Sequence, residues 1–296
     1  MINFLTNGYQ IKSNFFQSKD CKSLLKKVIT SRNFENIWLN ENEYKNNKIL
    51  KTVNPRPGRN LIEKLDTSFI FSNTKFIKLL NQVMGEYWKV LDYKFVVALE
   101  KNMVPNWVRK ITKNTFIPNM GRFIKEEFRD ITYFRGIDFH QDIIDFPHKK
   151  SDFATFYIYL DKVDRNSSPL ILFPKSHIYG AKTFPHKIKK ENSFYRYYKN
   201  SKNSIKMKPK SLIGNPGTMY FWHPCILHGT QPTFKDKFRI SIRILIEKNQ
   251  LKGNYLIDKL NKKVKGSLSV KNSRKDINNK TGSYIIKGNF INKNYK

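Results

Sequence analysis

Cysteine is nearly absent from this 296-residue chain; there are two, Cys21 and Cys225, far apart in sequence. That excludes a disulfide framework and makes a reducing cytoplasm the expected compartment. Acidic residues are also scarce, 23 against 56 Lys and Arg, for a net charge of +33. No stretch approaches the roughly eighteen consecutive apolar residues that would span a bilayer. Met1 to Ser13 has no basic segment followed by an apolar one, so no signal peptide is expected. What is present is 39% hydrophobic and 14% aromatic residues. That suffices for the core of one large domain or two small ones. The 23 Phe and 15 Tyr suit a β-rich interior.

Two readings of the charge stand side by side. A polyanionic partner (nucleic acid, an anionic membrane surface or a phosphorylated substrate) would use it. Mutational drift toward AT-rich codons would also produce it, since Lys, Asn and Ile are all heavily used. Nucleic-acid sites recruit arginine and clustered charge, whereas the lysines here are scattered along the whole length. The scatter favours drift, and nucleic acid is not the expected partner.

Periodicity divides the chain in three. Residues 1–119 read as mixed but largely helical. Cys21, Leu24, Leu25 and Val28 keep helical spacing within Ser18–Thr30, with Ser18 and Asp20 as caps. Thr74–Val90 reads as the clearest helix, with Phe76, Leu79, Leu80, Val83, Tyr87 and Val90 on one face. Asn54–Arg59 is a loop by composition. From about residue 120 to 248 the pattern alternates. Phe153–Leu160, Leu170–Phe173, Thr218–Trp222 and Arg239–Ile246 read as strands, separated by turn signals at Asn166–Pro169 and Asn215–Gly217. Many short strands joined by turns predict a mainly β fold with flanking helices, a sandwich or barrel. The lysine-rich stretch 181–211 shows no clear period and is expected as loop or irregular helix near one end of the barrel. The extension 249–296 is basic; from Leu251 it carries twelve Lys or Arg against two Asp. It reads as a solvated, partly ordered appendage in which Tyr284–Ile286 and Phe290–Ile291 could add an edge strand.

Six histidines, His140, His148, His177, His186, His223 and His228, all fall in the predicted β region. In Phe139-His140-Gln141-Asp142, His140 and Asp142 are two apart, so on a strand both side chains reach one face. A third ligand must come from a strand brought close by the fold. His228, 86 positions after Asp142 (228 minus 142), is the better choice. His223 competes, but it ends a strand before Pro224 and has no arginine eleven residues on. Two imidazoles and one carboxylate form the ligand set of a mononuclear non-haem Fe(II) site with open positions. Arg239 lies eleven positions past His228, where such a site would hold the carboxylate of an oxo-acid. A guanidinium matches a carboxylate with two parallel hydrogen bonds. Ser241 and Arg243 share its face, and Thr230 could add a hydroxyl. Asp145 and His148 read as a loop near the substrate mouth.

From about Arg122 to Ile246 these residues resemble the phytanoyl-CoA dioxygenase family of Fe(II)/2-oxoglutarate oxygenases. The segments are F-H-Q-D (139–142), Y-I-Y-L-D (157–161), S-P-L-I-L-F-P-K-S-H-I-Y-G (168–180), G-T-M-Y-F-W-H-P-C-I-L-H-G-T (217–230) and F-R-I-S (238–241). The resemblance implies a double-stranded β-helix, or jelly roll, with His140, Asp142 and His228 on iron. It implies Arg239 on 2-oxoglutarate, assisted by Thr230, with Tyr157, Ser241 and residues 122–139 as further candidates. Two departures touch no ligand. Lys175 replaces the glycine of the family's P-G-S-H turn, and Ser167-Ser168 replaces the preceding Asn-Gly.

The implied activity is hydroxylation of an unactivated C–H bond of a small metabolite, with Fe(II), 2-oxoglutarate and O2 as cofactors. The retained Asp142 favours hydroxylation over halogenation, and the basic insert and tail would suit an anionic substrate. Two alternatives stay open, a nucleic-acid-directed oxidative demethylase or basic binding domain, and a jelly roll that has lost its activity. The sequence sets no oligomeric state.

Overall fold

The computed structural model describes residues 1–52, 55, 57, 58, 60–112, 119–198, 204–230, 238–250, 253–272 and 275. Thirteen strands are found among them. In chain order they are β1 (Tyr9–Lys12), β2 (Trp88–Ala98), β3 (Thr132–Phe134), β4 (Ile137–His140), β5 (Phe153–Tyr159), β6 (Leu170–Leu172) and β7 (Ile188–Glu191). Then follow β8 (Phe194–Tyr198), β9 (Ser204–Met207), β10 (Lys210–Ser211), β11 (Met219–Trp222), β12 (His228–Thr230) and β13 (Arg239–Lys248). A six-stranded sheet has the order β1-β11-β5-β13-β2-β3 and a four-stranded sheet the order β10-β6-β12-β4. Strands β7, β8 and β9 form a third sheet of their own. The two larger sheets make the jelly roll.

Side-chain parity explains how the six-stranded sheet works. On β5, Ala154, Phe156 and Ile158 point to one face, where Ile240, Ile242, Ile244 and Ile246 of β13 join them. That face is covered by helices, Ser18–Thr30 through Cys21, Leu24 and Val28, and Thr74–Met84 through Phe76, Leu79, Leu80 and Val83. Tyr157 and Tyr159 point the other way, into the space shared with Leu170 and Leu172 of the four-stranded sheet. All seven residues of β5 are buried, because both of its faces are covered. The polar row Arg239, Ser241, Arg243 of β13 has the same parity as Tyr157 and therefore faces the interior.

Several expectations need correction. The Thr74 helix ends at Met84, because Gly85 leaves the helical region with φ 93° and ψ 177°. Trp88 then opens β2, so Val90 is a strand residue, and Tyr87 is 67% exposed. Residues 1–119 also give β1 and β2 to the main sheet. The stretch 181–211 is neither loop nor helix but contains β7 to β10. Its period is carried by aromatics: Tyr195, Tyr197 and Met207 are buried against Phe139 and Phe173, with lysines on the outer side. The described part of the C-terminal extension is tied down. Helix Leu256–Asn261 buries Ile257 and Leu260, and the following backbone bonds to the 178–184 loop through Lys265 to Ile178 and Ala181 to Ser267. Tyr284–Ile286 and Phe290–Ile291 lie outside the described residues, as do Asn54, Arg56 and Arg59 of the Asn54–Arg59 loop. Cys21 and Cys225 are free and buried. Among the described residues no helix is long and apolar enough to cross a membrane.

The turn Pro174–His177 accommodates its lysine by strain. Lys175 sits at φ 66° and ψ 0°, a left-handed conformation in which glycine pays no steric penalty. Ser168 has φ 46°. Both positions where the family's glycines are replaced are therefore left-handed.

Candidate metal centre

His140 is the last residue of β4, and His228 is the first of β12, directly opposite it in an antiparallel pair. Between His228 and Thr230 the register slips by a bulge, and Gly229 lies so close to β4 that a Cβ would stand 2.7 Å from the Ile137 carbonyl oxygen. The strands can approach this closely only because residue 229 has no side chain. Asp142 is not on the strand with His140, as the i, i+2 argument assumed; it opens a 3-10 turn, Asp142–Asp145. Gln141 between them is extended (φ −117°, ψ 139°), so the strand's alternation persists past its last ladder bond and delivers Asp142 to the same side.

The three side chains converge. Ligand atoms of His140, Asp142 and His228 all lie within 4.8 Å of one another, and His228 Nε2 is 3.7 Å from Asp142 Oδ1. Such separations suit donors each about 2.0–2.2 Å from a shared ion. The tautomers are set by the backbone. His140 Nδ1 lies 2.9 Å from the Asp138 carbonyl oxygen and His228 Nδ1 3.0 Å from that of Ile226. Each Nδ1 therefore carries the proton, and each Nε2 keeps its lone pair for a metal. Burial pushes the His140 ring down to about 3, and the neighbouring His228 adds to the fall, so it is neutral at physiological pH. Burial alone would raise the Asp142 carboxyl; His228, Arg243 and His140 outweigh it and hold it well below the usual carboxylate range.

Asp142 is fully buried and held by donors from three adjacent strands of the large sheet. Thr155 Oγ1 donates to its Oδ2 at 2.6 Å and Trp222 Nε1 to the same oxygen at 2.8 Å. Arg243 Nη2 donates to Oδ1 at 2.7 Å. Thr155 and Trp222 are direct cross-strand partners of β5 and β11. No motif marks Thr155 or Trp222 in the sequence, since only strand register brings them to Asp142. Arg243 was visible there as the second arginine on the Arg239 face, but its partner was not.

The loops behind the centre are pinned as well. Gln141 donates to the carbonyls of Gly180 (2.9 Å) and Cys225 (2.7 Å) and accepts from the Lys182 amide (2.8 Å). In the P-K-S-H turn, Ser176 Oγ donates to the Phe173 carbonyl and accepts the Leu227 amide, fixing the residue before His228. His223, the competing histidine, has both ring nitrogens engaged, Nε2 with Asn261 Oδ1 at 2.8 Å and Nδ1 with the Cys225 amide at 3.2 Å. Asp145, which ends the 3-10 turn, and His148 beyond it are exposed.

Arg239 opens β13 and is 2% exposed. Its guanidinium lies 5.8 Å from the ring centres of Phe134, Tyr157 and Tyr159, and Nη1 reaches Tyr157 Oη at 3.5 Å. Among the described residues, Nε and Nη2, which form one edge of the fork, have no partner although they are buried, nor do the hydroxyls of Thr230 and Ser241. A buried cation with an unsatisfied two-donor edge, and the Ser241 hydroxyl two residues along the same strand face, has the chemistry of a carboxylate receptor. Arg239 and Arg243 are four residues apart on one strand, about 13 Å at the strand rise. The row thus leads from this receptor to the Asp142 carboxylate.

The neighbours among solved structures share this fold. The epimerase SnoN in complex with Fe3+, alpha ketoglutarate and nogalamycin RO aligns with a TM-score of 0.51 at 11% identity, covering 83% of this chain and 81% of that one. The non-haem monooxygenase ThoJ aligns at 11% identity with a TM-score of 0.48 (83% and 76% covered). The non-haem alpha ketoglutarate dependent carbocyclase SnoK aligns at 12% and 0.45 (83% and 81%). At these identities only the fold is shared, and SnoN alone of the three passes one half in TM-score. No curated protein sequence gives a significant match. Jelly roll, histidine pair and carboxylate together have the ligand set of a mononuclear non-haem iron site. The sequence profile described as phytanoyl-CoA dioxygenase (PhyH) matches residues 74–241, more than half of the chain. The chain belongs to the phytanoyl-CoA dioxygenase family.

Proposed function

We propose that the protein is an Fe(II)- and 2-oxoglutarate-dependent hydroxylase acting on an unactivated C–H bond of a small metabolite. The observation that carries this reading is the convergence of His140, Asp142 and His228 within 4.8 Å, with the unsatisfied Arg239 edge on the same sheet face. Iron bound there with 2-oxoglutarate supplies the oxidising chemistry, coupled to decarboxylation of the co-substrate to succinate. The residues do the rest. Nε2 of each histidine and Oδ1 of Asp142 hold the metal from one side and leave the other side open. The Nε and Nη2 edge of Arg239 takes the far carboxylate of 2-oxoglutarate, with Thr230 and Ser241 donating from their hydroxyls. Tyr157 orients that guanidinium through Nη1. Phe134, Tyr157 and Tyr159 wall the pocket from water, which strengthens the carboxylate contact. Asp142 as a carboxylate fills the position that a small residue would leave to a halide, which supports hydroxylation.

The deciding experiment is aerobic incubation with Fe(II) and 2-oxoglutarate, with succinate measured with and without fractions of a metabolite extract. Succinate release that depends on Fe(II), is stimulated by a fraction and is absent in His228→Ala is expected. Equal release by His228→Ala would end the reading.

A further inference from the structure

We propose that Arg243 is a positioning residue of the metal centre, whose forked guanidinium clamps Asp142 as a one-oxygen ligand. The proposal rests on the reading of His140, Asp142 and His228 as the iron ligands. Thr155 and Trp222 both hold Oδ2 of Asp142, so that oxygen is a pivot and its lone pairs are used. Rotation about the pivot would swing Oδ1 away from the histidines. Arg243 Nη2 blocks this swing by donating to Oδ1 at 2.7 Å. The oxygen's remaining lone pair is then left for the metal, on the side where His228 Nε2 stands at 3.7 Å.

The clamp is itself anchored. Arg243 Nη1 donates to Asp92 Oδ2 at 2.8 Å on β2, the neighbouring strand. One planar group thus spans two carboxylates, one from the metal-bearing turn and one from the large sheet. A lysine has the charge but presents its donors from a single atom and cannot hold this span. A guanidinium so near a dication would ordinarily oppose metal binding. Here Asp92, shared with Lys94 Nζ at 2.9 Å, and Asp145, 3.8 Å from Nη2, offset the two neighbouring cations, so what Arg243 adds is direction.

The test uses Co(II) as the metal probe on metal-free full-length protein, following its visible ligand-field absorption and, separately, the melting temperature without metal. Removing a hydrogen-bond partner of a metal ligand costs about tenfold to a hundredfold in metal affinity, and Arg243→Gln is expected to fall in that range with a shifted ligand-field spectrum. Arg243→Lys is expected to lose about tenfold, since charge alone does not rebuild the fork. Asp92→Asn, which frees the far end of the clamp, is expected to weaken Co(II) severalfold and to shift the spectrum in the same direction. Wild-type affinity and spectrum in both Arg243 variants, or tighter binding, overturn the proposal. If Arg243→Gln does not fold, unchanged Co(II) binding by Asp92→Asn overturns it equally. Absence of stoichiometric Co(II) binding by the wild type, or wild-type binding by His228→Ala, instead sinks the metal-site reading beneath it.

Discussion

His140 and His228 are cross-strand partners whose ring centroids stand 4.3 Å apart. Two imidazoles at that spacing, both with Nδ1 bound to the backbone, form a clamp that exists before any metal arrives. The carboxylate that completes it belongs to a turn and needs three donors from the opposite sheet to stay in place. Preformed histidines and a held carboxylate give different expectations for their variants.

Asp142→Ala removes the common acceptor of Thr155, Trp222 and Arg243. Breaking a buried pair in this way costs about 3–5 kcal/mol. Denaturant unfolding of the metal-free protein is expected to show a loss of that order. Fe(II)-dependent succinate formation is expected to disappear. His140→Ala is expected to abolish the same activity with a smaller stability loss, because its ring holds only one backbone carbonyl.

Arg239 behaves in the opposite way. Its Nε and Nη2 have no partner among the described residues, so Arg239→Met relieves an unsatisfied charge while giving up three ring contacts. The expected change in ligand-free stability is under about 1 kcal/mol. Wild type should gain about 2.7 kcal/mol at 2-oxoglutarate a hundredfold above its Kd, and the variant should gain none. Melting curves with and without 2-oxoglutarate, metal present, read both quantities. A large ligand-free loss in the variant would show that Arg239 serves the fold.

The two left-handed positions invite stabilisation. Lys175→Gly and Ser168→Gly remove a Cβ from backbone at φ 66° and φ 46°. Each is expected to add about 0.5–1 kcal/mol, the steric relief less the entropy glycine brings to the unfolded chain. Neither side chain lies among the proposed ligands, so succinate formation should keep its wild-type rate. A fall in melting temperature for both would count against strain at these turns.

Stability of the metal-free protein is expected to fall in mild acid. Burial holds the His223 ring down at about 4, partly offset by its bond to Asn261. Its Nδ1 accepts the Cys225 amide, so a second proton has no place there. An unfolded histidine takes its proton near 6.5. Between about 6.5 and 4 the unfolded state binds more protons, so stability is complete above 6.5 and declines as pH falls, by about 1.4 kcal/mol per unit. Below the folded value the slope from this group vanishes. Unfolding free energies at pH 7, 6 and 5 for wild type and His223→Gln should show the shallower slope in the variant.

Much of the core and the candidate ligands were legible in the sequence because local rules suffice there. Phe153–Leu160 reads as one apolar run because both of its faces are covered, Arg239–Ile246 alternates because its isoleucines meet the helices while its polar row faces the site, and H-x-D with a distant H-G-T needs only strand parity. The third sheet was hidden because its period is written in tyrosines among lysines, where hydropathy contrast is low. The early end of the Thr74 helix turned on one residue, Gly85, inside a pattern that continued apolar to Val90. Thr155, Trp222 and Arg243 could not be assigned to Asp142 from sequence, since which residues meet across a sheet depends on register rather than on any spacing along the chain.

Strand β1, at Tyr9–Lys12, pairs with β11, and β13, which ends at Lys248, lies in the same sheet. During synthesis the large sheet therefore cannot close until the chain has been made as far as Lys248. His140 waits 88 positions for His228 (228 minus 140), and Asp142 waits 101 for Arg243 (243 minus 142). Until His228 is made, the nascent chain carries only two of the three candidate ligands, His140 and Asp142.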